Sequence, residues 1–297
     1  MSTSPKNIDV RCLAAKSALH VGGDREVDTL LASVLKPGSW TLHYAPCHAS
    51  ALNLIDAKSC DLIVIDEQSS GSEGIELLRT IRRLHPHARV IILTGESTAA
   101  HALAAMREHA FSYFSQPFSL DAVGEMIRMA AETPWWNDGI EVVFATQQWM
   151  RLRVRCDFES ADRLLQFLHE IAELPNPGRK QLATAIRELL YNAIEHGGKL
   201  DSANTVQFDY VRARGMVTCR IADPGKGFAF DKIPYAAIAN PAYDPAHHIQ
   251  LREERGMRPG GYGILMAQQL VDEVIYGQDG SEVLLVKYMD SISFQSG

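Results

Sequence analysis

Short apolar runs alternate with helical segments throughout residues 17–132, and this alternation limits the possible folds more than any other feature of the sequence. Leu62–Ile65 and Val90–Leu93 are uniformly apolar runs of strand length, and amphipathic stretches such as Gly74–Leu84 follow them. Strands that are apolar on both faces occur in parallel sheets that helices cover on both sides. We therefore predict an α/β domain with a doubly wound parallel sheet, in which chemistry lies at the carboxyl ends of the strands.

Polar residues stand at the ends of these predicted strands. Asp66 follows the apolar run Leu62–Ile65, Thr94 follows the run Val90–Leu93, and the segment Tyr113–Phe118 contains Gln-Pro. In this order they resemble the receiver domain of bacterial two-component response regulators. That family carries its phosphorylated aspartate where Asp66 stands, usually a glycine where Gly74 stands, and a proline that is usually cis where Pro117 stands. The resemblance implies a flavodoxin-like receiver domain over residues 1–132.

Two departures from the receiver pattern concern the chemistry of Asp66. The family binds Mg²⁺ through carboxylates after the first strand, because this ion prefers oxygen ligands. The chain has Gly22 and Gly23 there, with Asp24 one residue later, and Gln116 replaces the lysine that would pair with phosphoryl oxygens. Two interpretations remain, a working phosphoacceptor and a degenerate receiver that serves as a docking or dimerisation surface. The missing charges favour the degenerate receiver.

The second half of the chain begins after a segment rich in helix-breaking residues. Thr133–Gly139 contains Pro, Asn, Asp and Gly, which indicates a domain boundary. We predict a linker and first strand over residues 133–149 and a second domain over residues 150–297. Within that domain, Met150–Cys156 has the alternation of a strand. Ser160–Leu174 has the pattern of an amphipathic helix whose first residue has an N-cap side chain.

Three polar residues lie on one face of the next predicted helix, Arg179–His196. Glu188, Asn192 and Glu195 are spaced four and three residues apart, which places them on the same side of a helix. Such a face is often only a solvated surface. The glycine-rich loops that follow in the sequence favour a functional interpretation instead.

Two glycine-rich loops follow this helix. Asp223–Phe228 comes after a predicted strand pair, and Arg258–Met266 opens another helix. Glycines allow close approach of the backbone, and a helix N-terminus offers free N–H groups to an anion. With the helix sequence ELLYNAIEHGG, these loops resemble the N, G1 and G2 boxes of the ATP-binding fold shared by gyrase, Hsp90, histidine kinases and MutL. The short gap between boxes resembles the anti-sigma-factor serine/threonine kinases. This resemblance implies an α/β sandwich with a mixed sheet covered by helices.

The resemblance assigns a role to each matching position. Asn192 is expected to hold Mg²⁺ at the triphosphate, Asp223 to accept a hydrogen bond from the adenine amino group, and Glu188 to act as general base toward a hydroxyl group. The remaining nucleotide contacts are expected from the two loops, at Gly225, Gly227, Gly260, Gly261, Tyr262 and Gly263. The implied cofactors are ATP and Mg²⁺.

Three histidines suggest other chemistry, which the sequence supports less well. His196 ends the predicted helix, but no flanking pattern marks it as an autophosphorylated histidine. His247 and His248 lie in the predicted lid, Phe230–Pro259, without a third ligand at usable spacing, so we interpret them as part of a loop. The five cysteines form no Cys-x-x-Cys pair and indicate reduced thiols in a cytoplasmic protein.

Charge and hydropathy argue against two classes of partner. The net charge is −7, from 29 Lys and Arg against 36 Asp and Glu, which disfavours binding to nucleic acid through phosphate contacts. The apolar runs are far shorter than a membrane span.

Taken with the resemblances, the sequence predicts a cytoplasmic signalling protein in which a degenerate receiver regulates an ATP-dependent serine/threonine kinase. The expected substrate is an anti-sigma-factor antagonist of the STAS type, in a partner-switching system that also involves a sigma factor. Homodimerisation through either domain is compatible with the resemblance. The alternative is a non-catalytic module that binds ATP and sequesters a partner. A histidine kinase is disfavoured, because no phosphoacceptor helix hairpin stands between Glu132 and Arg151.

Overall fold

The computed structural model describes residues 16–67, 72–133, 138–227, 236–237, 240–241, 244, 246–254, 256 and 261–289. These residues form two compact units. The first unit contains the described residues up to Glu96 together with residues 116–133. The second unit contains Ser97–Ser115 together with the described residues from 138 onward.

A five-stranded sheet with the strand order β2-β1-β3-β4-β5 confirms the predicted doubly wound α/β fold. The pairings among the first four strands are parallel. Its strands are β1 (Lys16–Val21), β2 (Trp40–Ala45), β3 (Leu62–Glu67), β4 (Arg89–Thr94) and β5 (Ser112–Ser115). The intervening helices are α1 (Arg25–Val34), α2 (His48–Ala57), α3 (Ser72–Leu84), α4 (Ala99–Arg107) and α5 (Leu120–Glu132).

Burial explains which of these strands were evident in the sequence. All four apolar residues of Leu62–Ile65 and of Val90–Leu93 are buried, because β3 and β4 lie inside the sheet. The edge strand β2 is buried only at Ala45, and Tyr44 is half exposed. Its mixed pattern gave no strand signal, so β2 and the helix α2 that follows it were missing from the prediction.

A six-stranded sheet with the order β10-β11-β9-β8-β7-β6 forms the centre of the second unit. Its strands are β6 (Ile140–Ala145), β7 (Trp149–Arg155), β8 (Thr205–Ala213), β9 (Met216–Ala222), β10 (Glu273–Tyr276) and β11 (Glu282–Tyr288). The pairings between these strands are antiparallel, where the resemblance implied a mixed sheet. Antiparallel sheets commonly have one buried and one solvated face. Accordingly, Met150, Leu152 and Val154 of β7 are buried, whereas Trp149 and Arg153 are exposed.

Four further helices belong to this unit, and the first, second and fourth of them contact strands of the sheet. They are α6 (Phe158–Ile171), α7 (Gly178–Asn192), α8 (His247–Glu254) and α9 (Gly263–Leu270). The N-terminus of α6 differs from the prediction, because Asp157 rather than Ser160 is the N-cap. The Asp157 side chain accepts the Ser160 backbone N–H at 2.7 Å, and Ser160 itself is buried in the first turn. A carboxylate at this position satisfies an amide that the helix leaves unpaired.

Candidate functional site

A cavity of about 640 Å³ lies between helices α7 and α9 and the ends of strands β9, β10 and β11. Its volume is in the range of small-molecule binding sites. Seven of the nine residues predicted to contact the nucleotide or to act in catalysis line it, namely Glu188, Asn192, Asp223, Gly225, Gly227, Gly261 and Gly263. The fold therefore brings one helix and both glycine-rich loops to a single cavity, although 75 positions separate the first of these residues from the last.

Helix α7 changes its geometry where it meets the cavity. After Asn192 it continues as a π-helical segment, Ala193–Gly197, which we call the π-turn. Such segments are rare and are frequent at functional sites. Glu188, Asn192 and Glu195 all line the cavity, as expected for residues on one face, and His196 of the π-turn lines it too.

Glu188 lies against the start of helix α9. A Cβ added at Gly263, the first residue of that helix, would lie 2.7 Å from Glu188 Oε2 and 3.5 Å from Asn192 Nδ2. A side chain at this position would therefore displace the Glu188 carboxylate, which lies at the flexible end of its side chain. The N-cap of α9, Tyr262, makes no side-chain capping hydrogen bond. A helix N-terminus attracts negative charge, so the same place suits a carboxylate or a phosphate group.

Asp223 also lines the cavity, directly after the end of β9. Its Oδ1 accepts the backbone N–H of Gly225 at 2.8 Å, and the carboxylate packs so closely on Gly197 that a Cβ there would clash. Burial raises the pKa of Asp223, and the hydrogen bond from Gly225 opposes that rise. The result is a half-buried carboxylate held in one orientation, as recognition of a hydrogen-bond donor requires.

The loop after Asp223 needs glycine for a steric reason. Gly227 has φ +71°, and a Cβ at this position would collide with the backbone carbonyl of Asp279. The backbone of this loop therefore lies directly on the turn between β10 and β11. Lys226, between the two glycines, is exposed and also lines the cavity.

Some predicted residues lie elsewhere or outside the described part of the chain. Gly260 is not among the described residues. The exposed ring of Tyr262 stands edge-on to His248, with 4.5 Å between the ring centroids. The two lid histidines lie in helix α8, so the interpretation of them as part of a loop was wrong. His248 is buried with its Nδ1 2.7 Å from Asn240 Nδ2.

Other lining residues were missed by the sequence analysis. They include Tyr276, Arg252, Ser281 and Val283. Tyr276 pairs with Val283 in the β10–β11 hairpin, and that pairing brings both residues to the cavity. Arg252 is buried in helix α8, where a basic residue on a short polar helix carries no distinguishing pattern.

The surroundings of Asp66 in the first unit differ from those of the cavity. A Cβ added at Gly22 would lie 2.6 Å from the Asp66 carbonyl oxygen, so this position has no room for a side chain. Asp24 serves instead as the N-cap of α1, where its Oδ1 accepts the Glu26 N–H at 2.8 Å. Among the described residues, Asp66 Oδ2 is buried without a hydrogen-bond partner. Burial raises the pKa of Asp66, and His20 partly opposes this.

Two further features of the receiver pattern are a metal site near Asp66 and the proline at position 117. Within the described part of the chain, no group of three or more His, Cys, Asp or Glu side chains could hold a metal ion. The Gln116–Pro117 peptide bond is cis, as the receiver resemblance implied. The backbone features of a receiver are thus retained around Asp66, whereas the charged ligands are not.

Two family models match the chain, one in each half. Residues 19–128 match the response regulator receiver domain, and residues 154–287 match the histidine kinase-like ATPase domain. The chain joins a receiver domain to a histidine kinase-like ATPase domain. All lining residues of the cavity fall within the ATPase match, and Asp66 falls within the receiver match. The receiver match also includes Ser97–Ser115, which the structure groups with the second unit.

The individual proteins that resemble the chain do so over a limited part of their length. The nitrogen assimilation regulatory protein NtrX of Azorhizobium caulinodans is 30% identical over 121 residues, which are 40% of this chain and 27% of that protein. The DNA-binding transcriptional regulator NtrC of Escherichia coli is 32% identical over 82 residues, or 28% of this chain and 18% of that protein. The chain thus covers about a quarter or less of these two relatives.

A solved structure also resembles only part of the chain. The signal receiver domain of an HD domain-containing protein from Pseudomonas fluorescens is 26% identical, covering 40% of this chain and 96% of that one, with a TM-score of 0.35. In the described residues, no helix combines the length and the apolar character needed to cross a bilayer.

Proposed function

We propose that the chain is a signalling kinase that transfers the γ-phosphoryl group of Mg·ATP to a serine or threonine of an anti-sigma-factor antagonist of the STAS type. The observation that carries this proposal is the position of Glu188. Its carboxylate lies at the N-terminus of α9 and one helical turn before Asn192, in the cavity that also contains Asp223.

The residues of the cavity fit a nucleotide with a magnesium ion. Asp223 would accept a hydrogen bond from the adenine amino group, and the backbone N–H groups at Gly261 and Gly263 would face the phosphates. The side-chain oxygen of Asn192 would be the protein ligand of Mg²⁺, which usually keeps several waters and binds substrate phosphates besides one or two protein groups. The bound ion would supply charge neutralisation at the phosphoryl group.

Glu188 gives the cavity a group that phosphoryl transfer requires. In the proposed reaction, the serine oxygen forms a bond to the γ-phosphorus while the bond to the β–γ bridging oxygen breaks and ADP leaves. The hydroxyl proton passes to the Glu188 carboxylate. Phosphoryl transfer depends mainly on positioning and charge neutralisation, so one carboxylate and one metal site are sufficient.

The receiver domain is proposed to regulate this kinase without being phosphorylated itself. The lack of space at Gly22, the use of Asp24 as a helix cap and the neutral Gln116 all support a degenerate site. An antagonist and a sigma factor as partners, and homodimerisation, remain proposals that follow from the resemblance to anti-sigma-factor kinases.

Phosphotransfer with matched variants tests the proposal. The full chain is incubated with radiolabelled Mg·ATP and a lysate of its native host, and captured proteins are analysed by mass spectrometry for phosphoserine and phosphothreonine. Wild type should label a small antagonist-like protein, whereas Glu188→Gln should bind ATP with unchanged affinity and transfer no label. Glu195→Gln is the control, because it removes a carboxylate from the same helix and cavity to which the proposal assigns no role.

The non-catalytic alternative makes a different prediction in the same experiment. A partner that is captured with ATP by wild type and Glu188→Gln alike, and that carries no phosphate with either, would identify a sequestering module. Transfer by Glu188→Gln at the wild-type rate would contradict the role of Glu188. Phosphate on a histidine of the chain itself would contradict the serine/threonine specificity.

A further inference from the structure

Side chains of helix α6 satisfy the open edge of strand β5 inside the second unit. Arg163 Nε donates to the Phe111 carbonyl at 2.9 Å, and Gln166 Nε2 donates to the Tyr113 carbonyl at 2.9 Å. Two residues further along the strand, the Ser115 N–H donates to Glu170 Oε1 at 3.3 Å. The seven-residue step from Arg163 to Glu170 spans about 10.5 Å along the helix, and the four-residue step from Phe111 to Ser115 spans about 13 Å along the strand. The spacing of the side chains therefore nearly matches the spacing of the backbone groups that they contact.

Burial makes these contacts costly to break. The Arg163 side chain is 4% exposed, its guanidinium lies 4.2 Å from the centre of the Phe111 ring, and it also contacts the backbone and carboxylate of Asp138. The Ser115 hydroxyl donates a second hydrogen bond to Glu170. A buried backbone group or charge that loses its partner destabilises the fold, so the strand edge and the helix are expected to move together.

The other side of α6 holds the helix that lines the nucleotide cavity. Asp162 Oδ1 accepts a hydrogen bond from the Tyr191 hydroxyl at 2.6 Å and lies 3.8 Å from Arg187 Nη1. The Phe158 ring lies 4.7 Å from the Tyr191 ring. Tyr191 precedes Asn192 directly, and both residues line the cavity.

We propose that α6 is a coupling helix, which transmits the conformation of segment 97–115 to the nucleotide-binding end of α7. In this arrangement Glu170 is a positioning residue toward β5, and Asp162 is a positioning residue toward Tyr191. The nucleotide part of this inference rests on the proposed ATP-binding function. Because segment 97–115 belongs to the receiver match and α7 to the ATPase match, the coupling helix gives the receiver sequence a physical route to the nucleotide site.

The first test uses the full chain without nucleotide. Glu170→Ala should increase amide hydrogen exchange in residues 187–192 as well as in residues 111–115, because both segments are held through the same helix. Glu170→Gln should restore the protection, since its amide can still bond to Ser115. Glu173→Ala is the matched control. It removes a carboxylate three positions away that pairs with Arg212 of β8 instead of β5.

The second test measures ATP affinity by titration calorimetry on the same proteins. Glu170→Ala and Asp162→Ala are each expected to weaken ATP binding about fivefold. The double variant should weaken it by much less than the product of the two effects, because both substitutions interrupt one path. Asp162→Asn, which keeps an acceptor for Tyr191, should bind ATP like wild type.

The outcomes separate the coupling from the proposed function. If wild type does not bind ATP, the proposed function fails, and hydrogen exchange alone then decides whether α6 couples the two segments. Unchanged exchange in residues 187–192 on Glu170→Ala would overturn the coupling, as would independent, multiplicative effects in the double variant. If Glu170→Ala fails to fold, Ser115→Ala removes the same hydroxyl contact from the strand side, and the same criteria apply.

Discussion

The two places where this chain resembles a phosphate-handling family differ in what they retain. Around Asp66 the backbone features are present, including the strand end and the cis peptide before Pro117, but the charged partners are missing. In the cavity of the second unit, the glycines and the polar side chains are both present. Glu188 and Asp223 both line it.

This difference shows that a match to a domain family indicates the backbone fold and does not by itself indicate the charged side chains of a working site. The fold of a receiver depends on buried apolar strands, and these are intact although Gly22 stands where the receiver family is expected to have a metal ligand. Phosphoryl chemistry depends instead on a few charged groups, which can be lost without any effect on the fold. Each site therefore has to be judged by the side chains that it brings together.

Loss of the Asp223 carboxylate, the proposed hydrogen-bond acceptor for the adenine amino group, should have the largest effect on ATP binding. We expect Asp223→Ala to weaken ATP binding by about 2.5 kcal/mol, or roughly 70-fold, because a hydrogen bond to a charged group is lost in a half-buried site. Asp66→Ala should leave ATP affinity unchanged. Titration calorimetry on both variants checks this, and equal losses would mean that the two sites do not differ as described.

ATP binding should depend on pH through the protonation of Asp223. Burial raises the pKa of Asp223, and only its deprotonated form accepts the adenine amino group. ATP affinity should therefore decrease as pH falls through this raised pKa, approaching tenfold per pH unit below it. Because the pKa of Asp223 is higher in the folded protein than in the unfolded protein, Asp223 stabilises the fold most at low pH. The free energy of unfolding should therefore decrease as pH rises through the same range. A pH titration in which Asp223→Asn keeps the wild-type profile would rule out this assignment.

An exposed charge at the cavity should contribute much less than Asp223. Lys226→Ala is expected to weaken ATP binding about threefold at low salt, and less as salt is added, because solvent and ions screen an exposed charge. Affinities measured at two salt concentrations test this. An effect as large as that of Asp223→Ala would indicate that Lys226 is buried against the nucleotide in the complex.

The smallest expected effect concerns the receiver site itself. Acetyl phosphate with Mg²⁺ should leave Asp66 without an acid-labile phosphate, because the described residues around it lack a metal-binding group and Gln116 carries no charge. Intact-mass measurement at neutral pH, with Asp66→Asn as the reference, gives the answer. Stoichiometric labelling of wild type alone would break the comparison and identify a live phosphoacceptor.

Local patterns in the sequence were enough for most of the fold. The uniformly apolar runs of β3 and β4 and the helical periodicity of α7 each follow from residues that are close in sequence. Gly225, Gly227, Gly261 and Gly263 of the cavity were found because glycine-rich loops have a sequence pattern of their own. Edge strand β2 was missed because its burial is partial and gives no regular alternation.

The unpredicted features depend on partners that are distant in sequence or on backbone geometry. Tyr276 reaches the cavity through its pairing with Val283, and Gln166 contacts Tyr113 across 53 positions. The π-turn after Asn192 changes the helical repeat, which no residue pattern announced. The cap of α6 was misplaced because Asp157 and Ser160 are both good capping residues, and only the structure distinguishes them.

The position of Asp24 at the start of α1 has a consequence for the evolutionary history of the receiver site. A descendant that regained a carboxylate at position 22 would place it against the Asp66 carbonyl. One that recruited Asp24 as a ligand would give up the cap of α1, at a cost of about 1 kcal/mol in stability. Either single step passes through a less stable protein before any benefit appears, so the fold itself opposes a metal site of the receiver type at these positions.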